Sequence, residues 1–181
     1  RRLHSATRSF ISRGIWLTSL LMQIIQAEES DIPALQTIKN HPEDVFQTYF
    51  GRGTVFLLLE EGVPAGYVFL NQKPKYHLYA RLGIAEIQDL NVHSDYRRRG
   101  HAKKLIQHCE NLAREAGDEM IGISVGLTAE YGLAQILYAS IGYHPDGNGV
   151  TVDRGQVAHG TTVKLDDDLC LMLIKTLQQQ K

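Results

Sequence analysis

The chain has 181 residues, 43% hydrophobic and 22% charged, with a formal net charge of −1, the make-up of one ordinary globular domain with a sizeable core. Charge is uneven: residues 1–21 carry four arginines and no acid, leaving 15 Lys and Arg against 20 Asp and Glu elsewhere, and an acidic body argues against nonspecific nucleic-acid binding. No apolar run reaches the roughly 20 residues that span a bilayer, and two cysteines without zinc-type spacing argue against a disulfide framework or a zinc site.

Taken in chain order, residues 1–21 are rich in Arg and Ser, a composition shared with organellar transit peptides. The chain opens on Arg1, and Met22 begins a natural first strand. The expectation is an N-terminal extension over 1–21, upstream or cloning-derived sequence ahead of targeting, and one folded domain over 22–181. MQIIQ, from Met22, reads as a short strand, followed by a helix capped near Ser30 or Asp31 with Pro33 in its first turn. TVFLLLEEGVPAGYVFLNQ, from Thr54, reads as two strands joined at Glu61–Gly62 as a hairpin. GIAEIQDLNVHSDY, from Gly83, is a further strand whose apolar residues are Ile87, Leu90 and Val92. Strand alternation places Glu86 and Gln88 on one face with Leu90 and Val92.

A basic loop and a helix follow. The set Ala102, Leu105, Ile106, Cys109, Leu112, Ala113, Ala116 has the spacing of one helix face, and Gly117 is a natural stop. MIGISV, from Met120, reads as a buried strand, and YGLAQILYASIG, from Tyr131, as a helix closed by Gly142. LCLMLIK, from Leu169, is a last strand after an acidic turn at Asp166–Asp168. Cys109 and Cys170 read as small core residues. The eight histidines show no ligand spacing, and His101 and His108 read as helix surface, so no metal is expected. The order predicts a mixed α/β sheet with helices on its faces.

Five of the eight side chains from Arg97 to Lys104 are basic, at a helix start whose free N–H groups already carry partial positive charge. Cations gathered there call for an anion. Gly100 lets a phosphate approach the backbone, Ala102 keeps the next turn small, and Arg97, Arg98 and Arg99 supply donors matched to phosphate oxygens. Neither the Walker pattern nor the dinucleotide fingerprint is present.

Strand, R-x-x-G-x-A and amphipathic helix together resemble the acetyl-CoA motif of the GNAT superfamily of N-acyltransferases. Downstream, YGLAQILYASIGY (Tyr131–Tyr143) is similar to the family's second helix motif, with Ala134, Leu137, Tyr138 and Gly142 matching and Tyr143 in place of Phe. Tyr131 stands where the family often has Asn and is carried over as a cofactor contact. The resemblance runs from about Met22 to the C-terminus. It implies a seven-stranded, mostly antiparallel sheet with splayed central strands, helices on both faces, and acetyl-CoA as acetyl donor.

It further implies that the pantetheine arm pairs with Leu90, Asn91 and Val92, with the Val92 N–H as oxyanion donor. The pyrophosphate is implied on backbone N–H groups from Arg97 through Gly100, His101 and Ala102 to Lys103. By the same resemblance Tyr138 is the general acid toward the thiolate. Glu86 is the candidate base, with Asp89 or a water chain as alternatives. A base is needed because a free alkyl ammonium titrates near ~10.4. Tyr76, Tyr79 and Arg81 are placed to line an acceptor pocket. The expected activity is N-acetyl transfer to a primary amine, of a small molecule or a protein, by direct attack in a ternary complex. The expected setting is the cytoplasm, with no nucleic acid or membrane partner and a homodimer admitted through an exposed terminal strand. The alternatives are a non-catalytic acyl-CoA-binding module and a nucleotide-phosphate binder.

Overall fold

In the computed structural model, residues 22–177 are described; the extension expected over 1–21 lies outside them. The chain opens with β1 (Met22–Gln26) and a 3₁₀ turn leading into α1 (Ile32–Ile38). Asp31 stands at that entry and its carboxylate accepts the Glu28 N–H at 2.9 Å, with Pro33 in the first turn. After α2 (Glu43–Arg52) come β2 (Gly53–Glu60) and β3 (Val63–Asn71). They form the expected hairpin: Glu61 and Gly62 both take left-handed φ, 53° and 79°, which matches the twist of the flanking strands. The near-continuous apolar run of β2 is explained by burial on both sides. Phe56 and Leu58 join one core cluster, and Val55 and Leu57 join another.

The remaining elements are α3 (His77–Leu82), β4 (Glu86–Val92), α4 (His101–Ala116), β5 (Met120–Gly126), α5 (Gly132–Ser140), β6 (His144–Val152), β7 (Gly155–Gln156) and β8 (Leu169–Thr176). The eight strands form one sheet in the order β1-β2-β3-β4-β5-β8-β6-β7. Every neighbouring pair is antiparallel except β4 with β5. The count exceeds seven because Gly155 and Gln156 pair briefly with β6. α4 and α5 pack on one face of the sheet, α1 and α2 on the other, and α3 covers a third small cluster around Met172. The last strand, β8, is not an edge: it lies between β5 and β6, so the edge-strand argument for a dimer does not attach to it.

Four elements go beyond the sequence expectation: α2, α3, β6 and β7. HPDGNGVTV is loop-like in composition, and it becomes β6 because β8 offers it an edge. The register slips between Pro145 and Val150, where Gly147 and Gly149 take left-handed φ.

Two features of β4 position everything that follows. First, its parallel pairing with β5 stops after Glu86↔Gly122 and Ile87↔Ile123. Second, its register with β3 slips, Phe69 facing Gln88 and Tyr67 facing Asn91, with Asp89 at φ 44°. That bulge corrects the expected alternation. Ile87 and Leu90 both pack toward α4, and the Val92 side chain lies with Leu105 against Gly66. Glu86, Gln88 and Asn91 keep to the opposite face, because one inserted residue reverses the parity of a strand.

Gly122 lies in the paired stretch of β5, opposite Glu86. A methyl group there would run into the ring of Tyr79, which is fully buried and anchored by its hydroxyl to the Leu173 carbonyl at 2.6 Å. Overpacking of this kind costs about 1–3 kcal/mol. Gly122→Ala is expected to lower the melting temperature by about 2–4 °C per kcal/mol. An unchanged thermal midpoint would show that the ring yields freely.

Candidate active site

Where β4 and β5 part, a cleft of about 780 Å³ opens, lined along β4 by Gln88, Asp89, Leu90 and Asn91 and along β5 by Ser124, Val125 and Gly126. His93 donates its N–H to the Ala65 carbonyl on β3 at 2.9 Å. By alternation, the N–H and C=O of Val92 turn to the free edge. The Val92 carbonyl accepts from Arg97 Nε at 3.1 Å. The Val92 N–H therefore faces the unpaired edge of β4, next to the cleft that Leu90 and Asn91 line.

At one end of the cleft stands the start of α4. Its first helical bond runs from Lys104 N–H to Gly100 C=O at 3.1 Å, so the N–H groups of His101, Ala102 and Lys103 have no partner within the helix. Gly100 has φ 82° and Arg98 φ 62°, left-handed turns of the kind that point successive N–H groups into an anion site. The Arg97 N–H is already spent on the Ser94 carbonyl at 3.3 Å.

The basic side chains divide. Arg97 lines the cleft, and Arg98 and Lys103 are exposed. Arg99 is drawn off to Glu60 at 3.1 Å and to the Asp95 carbonyl at 3.0 Å, over the ring of Tyr96. His101 is not helix surface: it is 4% exposed and its Nε2 meets Glu60 at 2.5 Å. Partial burial opposes the charge of Glu60, and the hydrogen bonds from His101 and Arg99 outweigh it, holding the carboxyl below its usual range. Of the expected phosphate contacts, Arg99 and His101 thus offer backbone only.

Tyr138 projects from α5 into the cleft and is 7% exposed. Burial pushes its phenol up to about 12. Tyr131 precedes α5 and its ring covers Gly126, while its hydroxyl donates to Asp167 at 2.9 Å. Burial first, then Asp167, pushes this phenol up to about 12.

Asp89 lies on the cleft wall. It accepts from Tyr67 Oη at 2.7 Å and Asn91 Nδ2 at 2.7 Å, and meets His41 Nε2 at 3.2 Å. Burial and then Asp89 raise the phenols of Tyr49 and Tyr67. Glu86 lies beneath the cleft rather than on its wall and is 0% exposed. Its Oε1 accepts from Arg154 Nε at 3.3 Å and Nη2 at 3.1 Å, and Arg154 also donates to Ser124 Oγ at 3.1 Å. Burial opposes the charge of Arg154, and the Glu86 carboxylate more than restores it.

Tyr76 and Tyr79 do not line the cleft. They are buried under α3, bonded to Asp146 and to the Leu173 carbonyl. His41, Ser124 and Arg154 are cleft residues that the sequence pattern does not reveal. The one available signal is Asp153-Arg154-Gly155, a turn-forming triplet after the alternation of Val150 and Val152.

The acetyltransferase (GNAT) family model matches residues 21–143, and the chain belongs to that family. It is an acetyltransferase that uses acetyl-CoA as donor. Its fold is similar to that of a ribosomal-protein-alanine N-acetyltransferase from Brucella melitensis, at 21% identity and TM-score 0.62, covering 86% of this chain and 99% of that one. A GNAT family acetyltransferase from Elizabethkingia anophelis with acetyl-CoA bound shows 13% identity and TM-score 0.60, covering 86% and 98%. Ard1 from Thermoplasma volcanium shows 12% identity and TM-score 0.67, covering 87% and 99%. No curated protein sequence matches. The residues present fit acetyl-CoA: open β4 backbone for the pantetheine amides, and a glycine-opened helix start for the phosphates.

The buried phenols give the fold an alkaline limit. Unfolded tyrosine titrates near ~10, whereas Tyr131 and Tyr138 hold their protons to about 12. Above the unfolded value the folded state binds more protons, so stability is intact below about pH 10 and declines as pH rises toward the folded values. Urea midpoints should stay level up to about pH 9.5 and then drop, with tyrosinate absorbance appearing late. Absorbance that rises at the free-tyrosine value without unfolding would contradict this.

Proposed function

We propose that the chain moves an acetyl group from acetyl-CoA to a primary amine by direct attack in a ternary complex, acting in the cytoplasm. The observation that carries this is the joining, in one cleft, of the open β4 edge, the start of α4, Tyr138 and the Asp89–His41 pair. Among the described residues no helix is long and apolar enough to cross a membrane. A binding module would need neither a buried phenol nor a carboxylate–imidazole pair beside the open edge.

Acetyl-CoA supplies the activated thioester. The chain's residues do the rest. The N–H groups of Gly100, His101, Ala102 and Lys103, with Arg97 and Arg98, hold the phosphates, and Leu90, Asn91 and Val92 hold the pantetheine arm. Tyr131 borders that arm. The Val92 N–H stabilises negative charge on the carbonyl oxygen. Tyr138 donates its proton to the departing sulfur, and its raised pKa keeps it protonated throughout the working range. Glu86 is engaged by Arg154 beneath the cleft, so the proton of the acceptor ammonium passes to Asp89 and His41, directly or through water. An imidazole is the side chain best matched to accepting a proton near neutral pH.

Saturating acetyl-CoA is expected to raise stability by about 2.7 kcal/mol at a hundredfold excess over its dissociation constant. Gly100→Asp should abolish that shift, because a side chain at φ 82° is strained and its charge opposes phosphate. A Gly100→Asp protein that still responds to acetyl-CoA would place the phosphates elsewhere.

Tyr138→Phe keeps the ring and removes only the donor. CoA release with a panel of amines should fall by about 10²–10⁴ in kcat, while the acetyl-CoA-dependent thermal shift holds. A well-folded variant with normal kcat leaves Tyr138 as packing alone.

A further inference from the structure

The end of the cleft away from α4 has a chemistry that the acetyl donor does not require. Arg154 reaches into it from the turn between β6 and β7, with its side chain 20% exposed. Nε and Nη2 are spent on Glu86 and Ser124. A guanidinium carries five N–H donors, so the pair on Nη1 remains for a guest. Stability alone does not explain an arginine here: apolar residues of similar volume commonly replace a buried ion pair without loss, and Glu86 Oε2 is left buried without a partner. The turn that presents it is the tight two-residue hairpin type, with Asp153 and Arg154 at left-handed φ, 46° and 66°, between the paired Val152 and Gly155.

Lys39, Arg52 and Lys75 line the cleft with Arg154, beside the carboxylates of Asp89, Glu130, Asp153, Asp167 and Asp168. Arg52 is bonded to a neutral carbonyl, that of Lys73, which leaves its charge uncompensated. Lys75 pairs with Asp153 at 2.5 Å, tying the β6–β7 turn to the segment after β3. The cleft of about 780 Å³ is also shared with the pantetheine arm. Asp89, backed by Tyr67 and Asn91, faces the same space and suits an ammonium.

We propose that the acceptor is a small zwitterionic amine of the amino-acid type, its ammonium at Asp89 and His41 and its carboxylate accepting from Arg154 Nη1. This rests on the acetyltransferase reading. The guanidinium and the carboxylate of Asp89 line one cleft, so a guest that carries both an ammonium and a carboxylate can meet both.

The test compares CoA release from acetyl-CoA across pairs of amines that differ only in the carboxylate, such as alanine and ethylamine or lysine and cadaverine, with a tetrapeptide bearing a free N-terminus alongside. The carboxylated member of at least one pair is expected to lead by about tenfold or more in kcat/KM, the scale of a lost charged hydrogen bond. Arg154→Gln should collapse that ratio through KM. Arg154→Lys, which keeps the charge and loses the fork, should retain part of it. If Arg154→Gln fails to fold, the double variant Glu86→Gln/Arg154→Gln, which buries no unpaired charge, carries the test. Equal or better turnover of every decarboxylated amine overturns the proposal. So does preference for the tetrapeptide, no turnover with any amine, or an equal loss for both members of each pair in Arg154→Gln. The thermal shift with acetyl-CoA, measured on the same preparations, separates the two levels: a shift without amine turnover fails this proposal alone, and no shift fails the acetyltransferase reading with it.

Discussion

The central constraint is the early end of the β4–β5 pairing. Two strands in the middle of a sheet ordinarily satisfy each other's backbone along their length, and an open backbone edge in a protein's interior is costly. Here the parallel ladder lasts two residue pairs. Beyond it, the bulge at Asp89 bends β4, and Arg154 stands in the gap between Glu86 on β4 and Ser124 on β5. The result is a sheet that stays continuous at one end and offers free N–H and C=O groups at the other. A thioester with an amide-bearing arm is the kind of guest that can satisfy them.

The site's charge is then distributed by specific partners rather than by the basic run as a whole. Glu60, at the end of β2, takes up both Arg99 and His101. This anchors the turn before α4 and leaves the N–H groups of His101, Ala102 and Lys103 without partners in the helix. At the far end Glu86 compensates Arg154, while Asp89 is held by hydrogen-bond donors and His41.

Much of this was legible along the chain. The hairpin at Glu61–Gly62, the face of α4 from Leu105 to Ala113, the phosphate-type loop ending at Gly100 and the helix carrying Tyr138 all follow from local rules: turn chemistry, 3.6-residue spacing, and a glycine at a left-handed position. β6 was not legible, because Pro145, Gly147 and Gly149 argue for a loop and only the edge of β8 overrides them. The bulge at Asp89 was not legible either. Aspartate tolerates a left-handed φ, but nothing in EIQDLNV announces an inserted residue, and alternation assigned Glu86 and Gln88 to the wrong partners.

By itself the sequence determined the family and the elements that carry its two motifs, because each is written in residues within one turn or strand of one another. Tertiary structure alone decided which distant side chains share the cleft with the β4 edge. Glu86 and Arg154 are 68 positions apart, and His41 and Asp89 are 48 apart. Neither pair has a local signature, since an ion pair across a sheet depends on strand order and register and not on spacing. The insertion of β8 between β5 and β6 sets where the β6–β7 turn can reach, and with it which cation enters the cleft. Local propensity fixes the elements; the pairing of distant edges, driven by burial of both sheet faces, fixes the site.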